Sequence, residues 1–418
     1  ELTSKSKRRI VISSLYIGTG KLEVNLIENL KKTMSQSSNL NVTILMDYMR
    51  GNRLNNARDE NSSTKALLKP LLCEKTSVAF YLSPKYSNWW RKYLLFGRQK
   101  WNEIISLQHI KCYIFDDNLI ISGANLSNDY FTNRQDRYIC FHNNKQMCDY
   151  FEDLIKVVST FSMKLKSNGD FCLDSSWSYH PLNRKTQPLF VNSANKLITE
   201  LNDKYSRDLD NVKDRTVVIP FLQMKSFNIS DDEKFTLQVL KRIPEIPLLK
   251  LTTGYFNLTK EYLSIILNQK STQTFDILMA SEAANGFYGA KGIMGNIPSV
   301  YTQLAKKFMK TVNMHKLNIG LWSFNRNSWT FHAKGMWLLL NCNVFMTTIG
   351  SPNFGYRSVN RDLEAQIALI TSEEELKSKL SSEYNNLWKY SQRVEDEKQL
   401  PAVKLWIRFF TAFVKDFF

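Results

Sequence analysis

The sequence predicts an α/β protein made of two diverged copies of one strand-helix-strand unit, each a mixed sheet flanked by helices, with both copies facing one cleft. Three observations carry that expectation. His109-Ile110-Lys111 recurs as His332-Ala333-Lys334, and each copy leads into a turn from glycine to asparagine, Gly123 to Asn125 and Gly350 to Asn353. Apolar, β-branched runs repeat in the same order around the two motifs. The spacing between matched positions drifts without changing that order: 239 residues from Tyr16 to Tyr255, 233 from Ile44 to Ile277, 223 from His109 to His332 and 227 from Gly123 to Gly350. Such drift marks a duplicated domain with different loops rather than a solenoid, whose periods are far shorter.

The motif has a direct chemical reading. Residues i and i+2 of a strand point to the same face, so H-x-K presents an imidazole and an ammonium side by side. The ammonium suits a phosphate charge, and the imidazole suits attack on phosphorus or proton transfer. A lone H-x-K is usually a chance match. Its recurrence with the same downstream turn gives it weight.

Taken in order, Ile10 to Ile17 reads as the first strand, Gly18-Thr19-Gly20-Lys21 as a turn and Leu22 to Lys32 as an amphipathic helix. The turn is no P-loop, because that motif needs Gly at Leu15 and Ser or Thr at Leu22. Asn41 to Met46 is a strand matched by Thr274 to Met279. Arg50 to Lys65 is a polar loop at the mouth of the repeat, where Arg50 and Arg53 suit phosphate or simply solvent. Between Lys85 and the first motif, Trp89, Trp90, Tyr93 and Trp101 are interleaved with Lys and Arg. That composition suits a lipid-water interface, or single-stranded nucleic acid. Met147 to Lys166 reads as an amphipathic helix, and the mixed polar stretch 168–214 as a connection.

The second copy begins near Arg215. Asp231, Asp232 and Glu233 precede a helix from Phe235 to Arg242, and their charge favours its N-terminus more simply than it makes a metal site. Three glycines surround Lys291 in the 285–292 stretch, which lets backbone and ammonium approach an anion. From Pro401 the tail reads as a helix with Lys404, Arg408, Thr411 and Lys415 on one stripe and Trp406, Phe410 and Phe413 among the aromatics covering the rest. This pattern predicts an interfacial anchor.

At 418 residues, 43% hydrophobic and 23% charged, the chain suits two globular domains. Its net charge of +17 implies an anionic partner. The six cysteines include no C-x-x-C pair, which argues against zinc and for a reducing compartment. There is no apolar run long enough to span a membrane. The chain opens on Glu1 without a signal or transit pattern, which leaves a removed targeting segment open.

The two motifs resemble the paired HKD motifs of the phospholipase D superfamily. Within it, Gln108 to Lys111, Ser122 to Ser127, Tyr130 to Tyr138, Thr330 to Gly335, Gly350 to Ser358 and Arg361 to Gln366 resemble the eukaryotic mitochondrial phosphatidylglycerophosphate synthases. The likeness runs from about Ile10 to about Ile370. It implies two phospholipase D-like α/β/α repeats related by a pseudo-twofold, with the active site at their interface. The first repeat would occupy 1–167, the connection 168–214, the second repeat 215–392 and an amphipathic helix 393–418.

The resemblance further implies a phosphatidyltransferase acting on CDP-diacylglycerol and glycerol-3-phosphate through a phosphohistidine, in the cardiolipin pathway. His109 would attack phosphorus and His332 would protonate departing CMP. Lys111, Lys334, Asn125 and Asn353 would hold the non-bridging oxygens, while Glu364 and Asp136 would each fix the tautomer of a histidine. Ser351, Arg357, Lys291 and Tyr255 would contact substrate. Asp116 completes the first motif, but Leu339 stands at the matching place in the second, and that asymmetry points to His109 as the nucleophile. No metal or other cofactor is required. The expected setting is the matrix side of the mitochondrial inner membrane, peripheral, on an anionic surface, with no nucleic acid and with homo-oligomerisation left open. The rival readings are a nuclease or tyrosyl-DNA phosphodiesterase of the same superfamily, and a non-catalytic membrane tether.

Overall fold

Ile10, Val11 and Ile12 are almost completely buried, as a β-branched run is when both faces of its sheet are covered. They lie in β1 (Arg9–Ser13) at the middle of the first of two large sheets in the computed structural model of the chain. The structure describes all residues except 57, 58, 60, 88–104, 207–214, 270–273, 342 and 415–418, and it leaves out the side chains of Ile293, Asn341, Ala412, Phe413 and Val414. The expected interfacial residues Trp89, Trp90, Tyr93 and Trp101, and the side chain of Phe413, therefore lie outside the described residues.

The strands that follow in the first half are β2 (Asn41–Asp47), β3 (Thr76–Tyr81), β4 (Cys112–Phe115), β5 (Asn118–Ser122), β6 (Arg134–Gln135), β7 (Tyr138–Phe141), β8 (Met163–Leu165) and β9 (Phe171–Cys172). The second half supplies β10 (Thr216–Met224), β11 (Ile229–Ser230), β12 (Leu248–Thr253), β13 (Phe275–Ala280), β14 (Ile319–Phe324), β15 (Thr330–Phe331), β16 (Gly335–Asn341), β17 (Val344–Gly350), β18 (Glu364–Thr371) and β19 (Ser391–Val394). The first sheet runs β7-β5-β4-β1-β2-β3-β8-β9 and the second β11-β10-β18-β17-β16-β12-β13-β14-β19.

Seven strands of each sheet correspond one to one. In β7-β5-β4-β1-β2-β3-β8 and β18-β17-β16-β12-β13-β14-β19, the two pairings beyond the central strand are parallel and the rest antiparallel. The duplication read from the sequence is thus a duplication of sheet topology, giving two phospholipase D-like α/β repeats. Strands without a counterpart in the other repeat sit at the edges: β9 on the first sheet, β10 and β11 on the second.

The repeats meet through two short backbone pairings: β6 pairs with β15 in parallel, and Gln108 bridges Leu363. A shared apolar core also joins the two halves. Helices α1 (Lys21–Gln36), α2 (Asn128–Thr132), α3 (Lys145–Thr160) and α4 (Gln187–Tyr205) belong to the first half. Phe151, Leu154 and Phe190 from α3 and α4 join Met224, Phe227 and Ile349 from the second half in one apolar cluster. Each such large side chain contributes about 1.5–3 kcal/mol on full burial.

Two expectations need correction. The helix expected from Met147 to Lys166 ends at Thr160, and Met163–Leu165 instead pairs with β3. Met163 and Leu165 are buried on either side of half-buried Lys164, a strand alternation that the helix period absorbed. The stretch 168–214 is not only a connection, since it adds β9 and α4. The remaining helices used below are α5 (Asp231–Lys241), α6 (Ile297–Met314), α7 (Tyr356–Asn360), α8 (Glu374–Trp388) and α9 (Leu405–Val414). The three acids lie in the first turn of α5 without a side-chain capping hydrogen bond, and Asp232 is buried against Gln366. The Gly18–Gly20 turn is filled by the buried Glu23 carboxylate, which accepts from the Asn128 backbone at 2.7 Å.

Candidate active site

The short contacts between repeats set the site. Gln108 bridges Leu363, so the next residues on each side, His109 and Glu364, face each other. Phe331 pairs with Gln135, so His332 faces Asp136 in the same way. The backbone N–H of His109 donates to Leu363 at 2.8 Å, and that of His332 donates to Gln135 at 2.8 Å. Each histidine is therefore registered against a carboxylate of the other repeat: His109 Nδ1 to Glu364 Oε2 at 2.8 Å, and His332 Nδ1 to Asp136 Oδ2 at 2.7 Å.

Both carboxylates are supported in turn. Ser358 Oγ donates to Glu364 Oε1 at 2.7 Å, and the Arg137 backbone donates to Asp136 Oδ1 at 2.8 Å. Burial alone would raise both acids, but the facing histidine and lysines outweigh it and hold each below the ordinary carboxylate range. An ionised carboxylate on Nδ1 fixes the tautomer and leaves Nε2 for the cavity. Burial, reinforced by Lys334, brings His332 down to about 3, against the pull of Asp136. Burial also lowers His109, against the pull of Glu364. Both shifts favour the neutral imidazole, the form a nucleophile requires.

The cavity they share measures about 380 Å³, within the range of small-ligand sites. His109, His332, Asn125, Asn353, Tyr255 and Arg357 line it. Asn125 Nδ2 donates to the Tyr130 hydroxyl at 3.0 Å, and the Oδ1 atoms of Asn125 and Asn353 are buried without a hydrogen-bond partner. Unpartnered amide oxygens at matched places in both repeats call for an explanation, and a bound ligand would supply one. Tyr255 packs edge-on to His332.

The lysines lie just behind the cavity wall. Lys111 Nζ donates to the His109 carbonyl at 2.7 Å, and burial brings its ammonium down to about 7 although Glu364 opposes this. Lys334 Nζ is 2.6 Å from His332 Nδ1 and 3.7 Å from Asp136 Oδ2. Gly335, which follows, has φ +133°, and a Cβ there would strike Arg137 Nη1 and the Thr348 carbonyl. Only glycine fits that approach.

Three of the expected site residues are placed elsewhere. Asp116 sits at the β4–β5 turn, away from the cavity, and accepts the backbone N–H groups of Lys7, Arg8 and Arg9. It fastens the N-terminal segment. The second repeat has no such turn there, because β16 continues through Leu339, which pairs with Leu248. The Asp116–Leu339 asymmetry thus concerns strand length and gives no ground for choosing the nucleophile. Lys291 is exposed and does not line the cavity, whereas its loop contributes Gly286, Phe287 and Ala290. Ser351 is buried and exchanges hydrogen bonds with Ala365, beside Glu364, rather than facing substrate space.

The cavity residues that went unnamed as site candidates in the sequence include Asp129, Tyr130, Arg134 and Asp362. Arg134 had a usable signal, since it is a basic residue two positions before Asp136 in the stretch that carries the resemblance. Arg50 and Arg53, whose loop was read as suiting phosphate or solvent, also line the cavity. Among the described residues, no group of three or more His, Cys, Asp or Glu is arranged to hold a metal ion.

No protein-family model matches the chain. The mitochondrial CDP-diacylglycerol–glycerol-3-phosphate 3-phosphatidyltransferase of Homo sapiens is 37% identical over 99% of this chain and 79% of its own length. A Dictyostelium discoideum protein named as a probable enzyme of the same activity is 36% identical, over 97% of this chain and 72% of its own length. Among solved structures, phosphatidylserine synthase of Haemophilus influenzae superposes with a TM-score of 0.73, covering 100% of this chain and 92% of its own at 16% identity, which speaks for a common fold. With paired His–carboxylate sites on two phospholipase D-like repeats and this level of identity along almost its whole length, the chain belongs to the CDP-diacylglycerol–glycerol-3-phosphate 3-phosphatidyltransferases, the phosphatidylglycerophosphate synthases of the phospholipase D superfamily.

Proposed function

We propose that the chain transfers a phosphatidyl group from CDP-diacylglycerol to glycerol-3-phosphate in two steps through a phosphohistidine. The observation that carries this reading is the reciprocal pair of imidazoles, each anchored through Nδ1 on a buried carboxylate of the other repeat, at one cavity. In the first step His109 Nε2 attacks the lipid-linked phosphorus, and the bond to the bridging oxygen breaks as His332 supplies a proton to departing CMP. In the second, His332 takes the proton of the acceptor hydroxyl, whose oxygen attacks phosphorus and frees His109. The diphosphate's negative charge counteracts the burial that lowers His332, so substrate binding shifts it toward the charged form that the acid needs.

Asn125 and Asn353 meet the non-bridging oxygens at the cavity wall, and Lys111 and Lys334 add positive charge from just behind it. A half-turn of the Asn125 amide lets the Tyr130 hydroxyl donate to Oδ1 and turns Nδ2 toward the phosphoryl group. The order of the two histidines follows the family resemblance, because their surroundings are nearly symmetric. The reaction needs no metal in this scheme. The setting follows the human relative's name and the resemblance: the matrix side of the mitochondrial inner membrane, in the cardiolipin pathway, with α9 against an anionic surface.

The test is product analysis with CDP-diacylglycerol vesicles and labelled glycerol-3-phosphate in EDTA, beside a His109→Ala variant. Phosphatidylglycerophosphate and CMP are expected from the wild type alone. Release of phosphatidic acid only, or cleavage of a DNA phosphodiester without transfer, would overturn the reading. Activity that returns only on adding a divalent ion would refute metal independence.

A further inference from the structure

We infer that Arg134 binds the phosphate of the acceptor, forming a phosphomonoester subsite on the His332 side of the cleft. This rests on the transfer reaction proposed above. That reaction brings a second phosphate into the site, held on the glycerol backbone at a distance from the hydroxyl that attacks. The groups around the two histidines are occupied by the phosphoryl group in transfer. The acceptor's dianion needs a cation of its own, and a guanidinium is best suited because its planar fork engages two phosphate oxygens at once.

Four arginines line the cavity: Arg50, Arg53, Arg134 and Arg357. Two of them, Arg357 and Arg134, are tied to different histidines. Arg357 Nε is bound to Asp362 Oδ2 at 2.9 Å, and Asp362 Oδ1 accepts from the Leu107 backbone at 2.8 Å, which ties that guanidinium to the His109 side. Arg134 is tied to the other histidine. It lies two residues before Asp136 in sequence, and its Nε donates at 2.9 Å to Thr330 Oγ1, two residues before His332. The β6–β15 pairing that registers His332 against Asp136 pairs Arg134 with Thr330 as well. Arg134 therefore stands at a fixed offset from the base that deprotonates the acceptor.

Its surroundings suit an anion. The guanidinium lies over the Tyr130 ring, 4.6 Å from the centroid, and its side chain is only 15% exposed. Its carboxylate partner, Asp129, is 3.2 Å away and itself 56% exposed. An ion pair that open to solvent is weak, so a phosphate dianion can displace it. Above the guanidinium the chain places Gly286. A Cβ there would stand 3.6 Å from Arg134 Nη2 and 3.7 Å from the Tyr255 hydroxyl. The missing side chain keeps Arg134 and Tyr255 open to the same volume. Gly286 needs no left-handed φ, so its role here is to leave room.

The experiment separates the two half-reactions. Exchange of labelled CMP into CDP-diacylglycerol without acceptor reports the first step and its reversal alone. Arg134→Gln is expected to raise KM for glycerol-3-phosphate about 10- to 100-fold, as for loss of a hydrogen bond to a charged group, while CMP exchange continues. Arg134→Lys should recover part of that loss, since it restores charge but not the fork. Gly286→Leu, which leaves the guanidinium in place and covers it, should raise the same KM. An unchanged KM for glycerol-3-phosphate in Arg134→Gln, or loss of CMP exchange as deep as the loss of transfer in both Arg134 variants, would overturn the assignment. Failure of the wild type to exchange CMP would instead refute the phosphohistidine reading, which keeps the two failures apart.

Discussion

Glu364 and Asp116 are two acids that the sequence placed in one catalytic set and the structure separates. Glu364 is buried against His109 and Ser358. Asp116 has φ +52° and accepts three backbone N–H groups of the N-terminal segment. Burial raises its carboxyl, but those N–H groups outweigh it and hold it below the ordinary range. The two acids should therefore fail differently when changed. Glu364→Gln is expected to lower kcat by about 10²- to 10⁴-fold with little change in melting temperature, because the imidazole loses its orienting charge. Asp116→Ala is expected to cost about 1–3 kcal/mol of stability, the price of leaving backbone donors without their acceptor, at nearly unchanged kcat. Parallel measurement of kcat and thermal unfolding decides this. Loss of activity in Asp116→Ala at unchanged melting would return Asp116 to the chemistry. At this scale the histidines, lysines and asparagines were legible because their types are rare together and recur. Asp116 was misplaced because a motif records that an acid is present, and the direction it faces depends on where the strand turns.

The strands show how much of an element's role its sequence can carry. The matched apolar runs gave part of each sheet, and the structure extends the match to seven strands that keep the same neighbours. The short joining contacts were illegible: β6 and β15 are two residues each, too brief for any periodicity, yet they register both His332 and Arg134. Met163–Leu165 was lost inside a helical pattern for the same reason. What holds these brief contacts in place is Arg137, one residue beyond Asp136. Its side chain crosses to the second repeat, donating to the Thr348 carbonyl at 2.6 Å and to Thr347 Oγ1 at 2.8 Å, pairing with Glu383 of α8 at 2.8 Å and lying 3.9 Å from the centroid of the Trp337 ring. Among the described residues, Arg137→Ala leaves Glu383 with only the Trp337 indole N–H at 2.9 Å and removes the donor to Thr347 and Thr348. It should destabilise the protein by about 3 kcal/mol, the low end for breaking a buried pair, because Glu383 keeps some access to solvent. Arg137→Lys should recover little, since an ammonium has neither the fork nor the stacking plane. Urea unfolding measures both, and a midpoint unmoved in Arg137→Ala would show that the small strands hold the repeats without it.

For the whole molecule the question is how a basic chain meets a lipid substrate. Net charge is +17, and among the described residues no helix is long and apolar enough to cross a membrane. The tail helix divides its surface differently from the stripe read in the sequence. Val403, Ile407 and Thr411 are buried, the first two against Val300 of α6, so Thr411 belongs to the docked side and not to a basic face. Phe410 is partly buried on the same cluster. Leu405, Trp406 and Phe409 face outward, Phe409 at 68% exposure. Docking and contact with a surface are thus compatible, each using its own side of α9. Sequence periodicity showed the helix to be apolar nearly all round, but only packing decides which residues remain available. A double Trp406→Ser, Phe409→Ser variant removes that outward side without disturbing Val403 or Ile407. It is expected to bind vesicles containing anionic phospholipid about 10- to 100-fold more weakly in sedimentation, given the apolar area two such side chains bury at an interface. Turnover of detergent-dispersed substrate should persist, because neither residue lines the cavity. Binding by the wild type should weaken as salt is raised, since screening shortens the reach of the positive charge, and the variant should keep this salt dependence. Equal vesicle binding by variant and wild type would mean that charge alone brings the protein to the surface and that α9 serves only to cap α6.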